Sequence, residues 1–319
     1  MLFQIKNQLA TFSHIINPVS ENENPELFAA QKTTLQSIAE SRKRLKGTIS
    51  VELIAVAFPD SIGQTENEFD KTIPLARSVA DIKKFTVERK LPVIHDLLSE
   101  GIKNASGDYI IFTNIDIALM PDFYNVVKWY LEKNHDALVI NRRRIPARLK
   151  DAPLEVMQAH AGYMHSGYDC FVFKKSLFEK FIPTNICIGI PPAGNDIFYN
   201  LFSFAENPLL LTEQHLTFHL GMELVKSWGS SDYYHFNYSE FSKLLKKLDP
   251  HIDIAKFPGA ELSFFKRHFK WLMNPTFYYP QLFRKDFSKS SKRKNKPKPE
   301  VKQGYYEWMV RKINFRDEE

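Results

Sequence analysis

The sequence predicts an α/β fold in which a mostly parallel sheet is flanked by helices, followed by a basic, helical C-terminal extension. Short apolar runs rich in β-branched residues alternate with segments of helical periodicity over residues 12–218. Polar residues directly follow several of these runs, as ligand-binding residues do at strand ends in open α/β sheets. Residues 266–298 hold eleven Lys or Arg and one acid, a net charge of +10, which leaves −4 for the rest of a chain whose total is +6.

Length, apolar runs and cysteine content indicate which class of protein this is. A chain of 319 residues can hold one large α/β domain with an appendage. The first twelve residues lack a basic start followed by a long apolar core, and no apolar run approaches the roughly 18 residues that span a bilayer. The two cysteines, Cys170 and Cys187, suit a reducing compartment and have no metal-ligand spacing. We therefore expect a cytoplasmic protein.

The first elements form a strand-helix-strand unit. Residues 12–17 are an apolar strand, Pro18 begins the polar loop after it, and Pro25 lies at the start of a helix. Residues 50–58 are a second buried strand that ends just before Asp60. Such a unit has parallel strands and a right-handed crossover. The following segment is polar and weakly patterned, with one short strand expected over residues 84–87.

The most informative stretch is residues 89–124. Apolar residues at three- and four-residue spacing predict a helix over residues 93–105, and Tyr109 begins a strand buried on both faces. That strand ends on Asn114-Ile115-Asp116, before a helix opened by Pro121. The tripeptide on its own favours a simple strand end and turn over a ligand site.

The later segments continue the alternation of strands and helices. We expect strands at residues 137–141 and 168–174, separated by a loop of little periodicity. Gly194 lies at the start of a helix, and two short strands at residues 209–211 and 216–218 follow it. The triple cation Arg142-Arg143-Arg144 follows the first of these strands, where it is either a solvated loop or an anion contact.

Residues 12–228 resemble the family 2 glycosyltransferases, which are inverting enzymes of the GT-A fold. In that family a helix ending Gly-x-x-x-Ala-x-Gly-(Asp/Glu)-Tyr leads into an apolar strand that finishes in Asp-x-Asp. The matching residues here are Gly101, Ala105, Gly107, Asp108 and Tyr109, followed by Asn114 and Asp116. Asn114 departs from the pattern, because an amide oxygen can approach a ribose hydroxyl or a metal but brings no charge. An aspartate at this position would be expected to bind a metal more tightly.

The resemblance implies a donor site for a nucleoside-diphosphate sugar. Asp116 would face a diphosphate-bound Mn²⁺ or Mg²⁺, with His219 as a second metal ligand and Lys226 at the diphosphate. Pro18 and Asp60 would flank the nucleobase and ribose. The expected donor-binding residues are Pro18, Asp60, Asn114, Asp116 and Lys226. Each also has a structural explanation as a loop, turn or core residue.

A second motif supplies the candidate base. Gly194-Asn195-Asp196 resembles the Gly-Glu-Asp motif whose final acid removes a proton from the acceptor hydroxyl. A carboxylate there is held by the free N–H groups of a helix N-terminus. Simple N-capping is the alternative, and it is compatible with catalysis.

The resemblance thus implies sugar transfer from a nucleotide sugar to a glycan or glycolipid acceptor, with inversion and with Asp196 as base. A retaining enzyme on the same fold and a non-catalytic nucleotide-sugar-binding protein are the alternatives. We expect a catalytic domain over residues 1–235 and a basic, aromatic extension over residues 236–319. The interleaved cations and rings of residues 261–300 suit an anionic membrane surface or a helix packed on the domain, and no nucleic-acid partner is expected.

Overall fold

The computed structural model describes residues 9–63, 66–220, 232–274, 276–277 and 279–290. The chain divides into two compact units, Met1–Glu261 and Leu262–Glu319. The sequence analysis placed the boundary after residue 235, whereas residues 236–261 belong to the first unit. Asn237 shows why, because its side chain exchanges hydrogen bonds with the backbone of Cys187 within that unit.

The elements alternate along the chain as the sequence pattern predicts. The strands of the described residues are β1 (Ala10–Ile16), β2 (Ile49–Ala57), β3 (Lys71–Pro74), β4 (Tyr109–Thr113), β5 (Ala118–Leu119), β6 (Ala137–Ile145), β7 (Tyr163–Lys174), β8 (Pro208–Leu211) and β9 (Thr217–Leu220). The α-helices are α1 (Pro25–Lys43), α2 (Pro59–Ile62), α3 (Ile94–Asn104), α4 (Phe123–Leu131), α5 (Leu154–Ala159), α6 (Ala193–Phe204), α7 (Asp232–Leu248), α8 (Phe264–Leu272) and α9 (Pro280–Ser290).

The strands form one sheet in the order β3-β2-β1-β4-β7-β6-β9-β5, with β8 also pairing to β6. Strands β3, β2, β1 and β4 are parallel to one another, and β6 is parallel to both β8 and β9. Only β7 and β5 run in the opposite direction. The predicted mostly parallel sheet flanked by helices is therefore confirmed.

The central strand β1 shows how helices cover both faces of the sheet. Phe12 and Ile16 belong to the apolar core that α1 and α4 share with one face. Ile15 faces the other way, where a Cβ on Gly101 of α3 would come within 2.7 Å of its side chain. The alternation of side chains along a strand thus divides the core into two layers.

A buried histidine connects the central strands of the sheet to a covering helix. The ring of His14 in β1 lies 2.9 Å from the Tyr124 hydroxyl of α4 and 2.9 Å from the Thr113 hydroxyl of β4. Burial, with a smaller contribution from Arg42, lowers the pKa of His14 to about 3, so the ring is neutral. These contacts position the last residue of β4, directly before Asn114.

Two expectations about loops are wrong. The segment 84–87 contains no strand, because Phe85 stacks on Tyr233 with ring centroids 3.7 Å apart and Thr86 donates its backbone N–H to Asp232. The edge strand is β3 instead, which pairs with β2. The segment 145–167 is also more ordered than its weak periodicity suggests, since it contains α5 and the first residues of β7.

The second unit contains α8 and α9, joined by the single acid of the basic segment. Asp286 of α9 accepts hydrogen bonds from Arg267 at 3.0 Å and lies 2.7 Å from the imidazole of His268. Trp271 is buried within the same unit. Residues 291–319, the last part of the expected basic, aromatic extension, lie outside the described residues. In the described part of the chain, no helix has the length and apolar composition needed to cross a membrane.

Candidate active site

The ends of β4 and β9 bring Asp116 and His219 together. After β4 the chain crosses the edge of the sheet as β5, whose Ala118 pairs with Phe218 of β9. This crossing places His219 Nε2 2.9 Å from Asp116 Oδ2, although β7 and β6 separate β4 from β9 in the sheet. Both side chains are largely shielded from water. The two residues expected to share a cation are therefore in direct contact.

The surroundings of Asp116 favour its ionised form. Burial by itself raises the pKa of this carboxyl group, but the hydrogen bond and charge of His219 and the field of Arg142 lower it. Together, His219 and Arg142 outweigh the effect of burial, so the pKa of Asp116 lies below its ordinary value. A carboxylate that stays charged while shielded from water is suited to hold a cation.

A second carboxylate, which the sequence analysis did not select, lies beside the first. Asp169 in β7 accepts a hydrogen bond of 2.9 Å from the side-chain nitrogen of Asn114, and its other oxygen lies 2.9 Å from Arg142. Burial raises the pKa of Asp169 and the neighbouring Asp116 adds to the rise, while Arg142 opposes it. The site therefore contains two acids that are largely shielded from water and lie in one electrostatic environment.

Arg142 and His165 present hydrogen-bond donors to the same region. His165 Nδ1 accepts the N–H of Gly167 at 2.8 Å, so the ring proton is on Nε2. Burial, followed by the charges of Arg142 and Arg144, lowers the pKa of His165 to about 3 and keeps the ring neutral. Arg142 can only donate, so its nitrogen 3.5 Å from His165 Nε2 is not a hydrogen-bond partner. Both groups can donate to an anion.

Unpaired buried polar atoms are concentrated here. Among the described residues, nine buried side-chain atoms have no hydrogen-bond partner, and three of them belong to this site or to the residue beside it, namely Asn141, Arg142 and Asp169. The Asp169 oxygen among them is in ion-pair contact with Arg142 but is not aligned with it. Buried polar atoms without partners are rare in folded proteins, and this concentration indicates a place for a polar ligand.

The contact between Asp116 and His219 is compatible with a shared metal ion. Two adjacent ligands of an octahedral cation that each lie about 2.1 Å from it are about 3 Å apart, close to the 2.9 Å between these atoms. Within the described ranges, no group of three or more His, Cys, Asp or Glu is arranged around one point. The protein would thus supply two ligands, and phosphate oxygens and water would supply the others.

Pro18 follows β1 and Asp60 follows β2, so both lie at the same edge of the sheet as Asp116 but on the side of β4 away from β7. Pro18 is buried in the loop after β1, and Asp60 is exposed in α2, 3.3 Å from Lys90. Glu23 connects the loop to α2, because it accepts hydrogen bonds from Ser20 and Ser61. Among the described residues, no hydrogen bond or ion pair joins Pro18 or Asp60 to the Asp116 cluster. Lys226 lies outside the described residues.

Asp196 lies in the first turn of α6, next to β7. A Cβ on Gly194 would lie 2.4 Å from the carbonyl oxygen of Tyr168, so the start of α6 rests on the strand that carries Asp169. Asp196 is buried and accepts a 3.2 Å hydrogen bond from Thr184. Burial raises the pKa of Asp196 to about 7, with Thr184 opposing the rise and Glu240 adding to it. Among the described residues, no hydrogen bond joins Asp196 to the cluster of Asp116, His219, Asp169 and Arg142.

No family model matches the sequence, and no curated protein matches it. Several solved structures are similar. One is S. aureus TarS 1-349 in complex with UDP-GlcNAc, with 13% identity, a TM-score of 0.49, and coverage of 82% of this chain and 73% of that chain. Another is the mannosyltransferase PcManGT from Pyrobaculum calidifontis in complex with GDP-Man and Mn²⁺, with 14% identity, a TM-score of 0.46, and coverage of 90% and 76%.

A third is glucosyl-3-phosphoglycerate synthase from Mycobacterium tuberculosis in complex with Mn²⁺, UDP and glucosyl-3-phosphoglycerate, with 13% identity and a TM-score of 0.42. The similarity covers 75% of this chain and 80% of that chain.

The contact between Asp116 and His219 generates a binding prediction. Asp116→Ala should weaken Mn²⁺-dependent binding of UDP or GDP by more than about 10-fold, because it removes the charged ligand of the pair. Titration calorimetry with and without Mn²⁺ measures the effect. Asp122→Ala, which removes an acid from the same segment but outside the cluster, is the matched control. Equal nucleotide affinity in Asp116→Ala and the control would remove Asp116 from the site.

Proposed function

We propose that the protein is a glycosyltransferase that moves a sugar from a nucleoside-diphosphate sugar to a glycan or glycolipid acceptor. The observation that carries the proposal is the cluster of Asp116, His219, Asp169 and Arg142 at one sheet edge. It combines a candidate cation site with donors aimed at an anion. Sugar transfer expels a diphosphate, and the charge that develops on it must be neutralised by a cation or by basic side chains.

In this proposal Asp116 and His219 would hold Mn²⁺ or Mg²⁺, and such a cation would supply positive charge against the diphosphate leaving group. Arg142 and His165 donate hydrogen bonds to the same phosphates, as Lys226 would. Asn114 meets a ribose hydroxyl or the cation with its amide oxygen. Pro18 and Asp60, two strands away in the sheet, would flank the nucleobase and ribose at the far end of the donor.

Asp196 is the proposed catalytic base of an inverting reaction. An inverting displacement needs a carboxylate behind the acceptor hydroxyl, and a base works best when its pKa is near the operating pH. A pKa of about 7 satisfies that condition. The start of α6 also rests on β7 at Tyr168, the residue before Asp169, and this closeness supports the proposed role of Asp196.

The direct test is a panel of nucleotide sugars incubated with the full chain and Mn²⁺. We expect metal-dependent hydrolysis of one nucleotide sugar, and a transferred product with the opposite anomeric configuration once an acceptor is added. Retention of configuration would replace the inverting mechanism with the retaining one. Tight nucleotide binding without turnover would favour the non-catalytic binder, and neither binding nor turnover would contradict the proposal.

The raised pKa of Asp196 gives a prediction with a defined sign. Transfer should increase as the pH rises through about 7, because the base acts only when deprotonated. Asp196→Asn should lower transfer by about 10²–10⁴-fold and remove this pH dependence, while nucleotide binding survives. Asn195→Ala, at the neighbouring position, should affect transfer far less. A pH profile unchanged by Asp196→Asn would place the base elsewhere.

The same group makes a separate prediction for stability. The folded protein keeps the Asp196 proton up to a pH of about 7, whereas the unfolded chain releases it near its ordinary pKa of 3.8. The stabilising contribution of this proton is complete below 3.8 and is lost as the pH rises to 7. Asp196→Asn should therefore raise the melting temperature relative to wild type more at pH 8 than at pH 4. An equal change at both pH values would contradict the raised pKa.

We further propose that α8 lies on an anionic membrane surface. Three apolar side chains spaced four residues apart are exposed on it, Phe265 at 83%, Phe269 at 67% and Met273 at 57%. The cations Lys266 and Lys270 are exposed beside this row. An apolar row with flanking cations matches the acyl boundary and headgroups of an anionic lipid layer. Such a contact would make the protein peripheral on the inner face of the membrane, near a glycolipid acceptor.

Vesicle co-sedimentation tests this face of α8. The double variant Lys266→Gln/Lys270→Gln should bind phosphatidylserine vesicles about 30-fold more weakly, since each cation contributes about 1 kcal/mol. Phe265→Ser/Phe269→Ser should weaken binding to a similar degree. Val156→Ser, at an exposed apolar position in the first unit, should have no effect. Binding that is indifferent to salt and to both double variants would contradict the proposed membrane contact.

A further inference from the structure

The register of the antiparallel pair β4 and β7 brings residues 114 and 169 together. Thr113 is opposite Cys170 at the end of the antiparallel ladder. The next pair continues the contact, because the Asn114 backbone N–H donates to the Asp169 carbonyl oxygen at 3.3 Å. The side chains of the same two residues are joined at 2.9 Å. The backbone pairing therefore holds these two side chains next to each other.

The chemistry of the pair determines how the amide is turned. A carboxylate only accepts hydrogen bonds, so Asn114 presents its NH₂ group to Asp169. The amide oxygen is then on the opposite side of the group, away from β7. No described residue donates a hydrogen bond to that oxygen, and it is not among the buried atoms without a partner. It therefore remains accessible as an acceptor or metal ligand, two residues before Asp116.

Asp169 is held in place from its other side. Arg142 lies 2.9 Å from its second oxygen, and both side chains are largely buried. A charge shielded from water is stable only with such partners. Arg142, Asp169 and Asn114 thus form a chain in which the cation fixes the carboxylate and the carboxylate fixes the amide.

An aspartate at position 114 would break this arrangement. Its carboxylate would face Asp169 at hydrogen-bonding distance with no proton between them, and like charges this close cannot both remain ionised without a large cost. Either the side chain at 114 would turn away from β7, or one of the two carboxylates would have to take up a proton. The expectation that aspartate at 114 improves metal binding ignores this neighbour.

We propose that Asp169 is a positioning residue of the donor site, which supplies the negative charge that residue 114 lacks and aims the Asn114 amide oxygen at the donor. Asparagine is then required at 114 because aspartate occupies 169. The acid that the Asp-x-Asp pattern has at position 114 is replaced here by Asp169 on the neighbouring strand β7. The identity of the group that Asn114 meets, a ribose hydroxyl or the cation, rests on the proposed function.

The test is a reciprocal exchange, with Asn114→Asp, Asp169→Asn and the double variant compared in the full chain. Titration calorimetry with UDP or GDP and Mn²⁺ measures binding, and melting temperatures are recorded without any ligand. Each single variant should lose more than about 10-fold in nucleotide affinity and melt at a lower temperature. The double variant, which restores one acid and one amide, should lose clearly less than the sum of the two single losses, because contacting residues couple strongly. Its recovery is partial, since an asparagine at 169 still leaves Arg142 without its carboxylate partner.

The exposed pair Asn125 and Asp122 is the matched control, since its side chains also meet at 3.2 Å but outside the site. The same exchange there should leave nucleotide affinity unchanged. Two results would overturn the proposal: an Asn114→Asp variant that binds as well as or better than wild type, or a double variant whose losses equal the sum of the single losses.

Failure of the proposed function is distinguishable from failure of this inference. If wild-type protein binds no nucleotide, the donor site is wrong. The melting temperatures still report the coupling of residues 114 and 169, and additive losses there would overturn the pairing on their own.

Discussion

The site depends on the antiparallel placement of β7 between β4 and β6. A strand running against its neighbours brings its early residues to the edge where parallel strands end. Asp169 therefore lies beside Asn114, while Arg142 arrives on β6 from the other side. If β7 were parallel to β4, Asp169 would lie near the opposite edge of the sheet, and the donor cluster would hold one acid instead of two.

This edge of the sheet holds charged side chains that are largely shielded from water. Asp169 lies 2.9 Å from Arg142, and Asp116 lies 2.9 Å from the imidazole of His219. In such an environment, charges interact more strongly than at the surface. A nucleoside diphosphate with its cation could exchange into this network because it brings both signs of charge, and neither free phosphate nor a metal ion alone does so.

Local sequence patterns were sufficient for most of the fold but for only part of the site. The strand ending at Asn114 and Asp116 could be predicted because apolar periodicity and flanking glycines are local signals. Asp169 was missed because its importance comes from strand direction and register, which apolar alternation does not encode. The available signal was an acid between Tyr168 and Cys170 in an otherwise apolar strand, since a charge there must have a partner. The edge strand was likewise misplaced, because Phe85 packs on α7 and only the tertiary structure shows it.

We propose that Asp116 and His219 share a cation that binds the diphosphate of the donor. The most direct measurement is a crystal structure with UDP and Mn²⁺, in which anomalous scattering locates the metal. The account predicts one Mn²⁺ about 2 Å from Asp116 Oδ2 and His219 Nε2, completed by oxygens of the diphosphate. A bound UDP whose metal lies elsewhere, with the 2.9 Å contact between Asp116 and His219 intact, would contradict it.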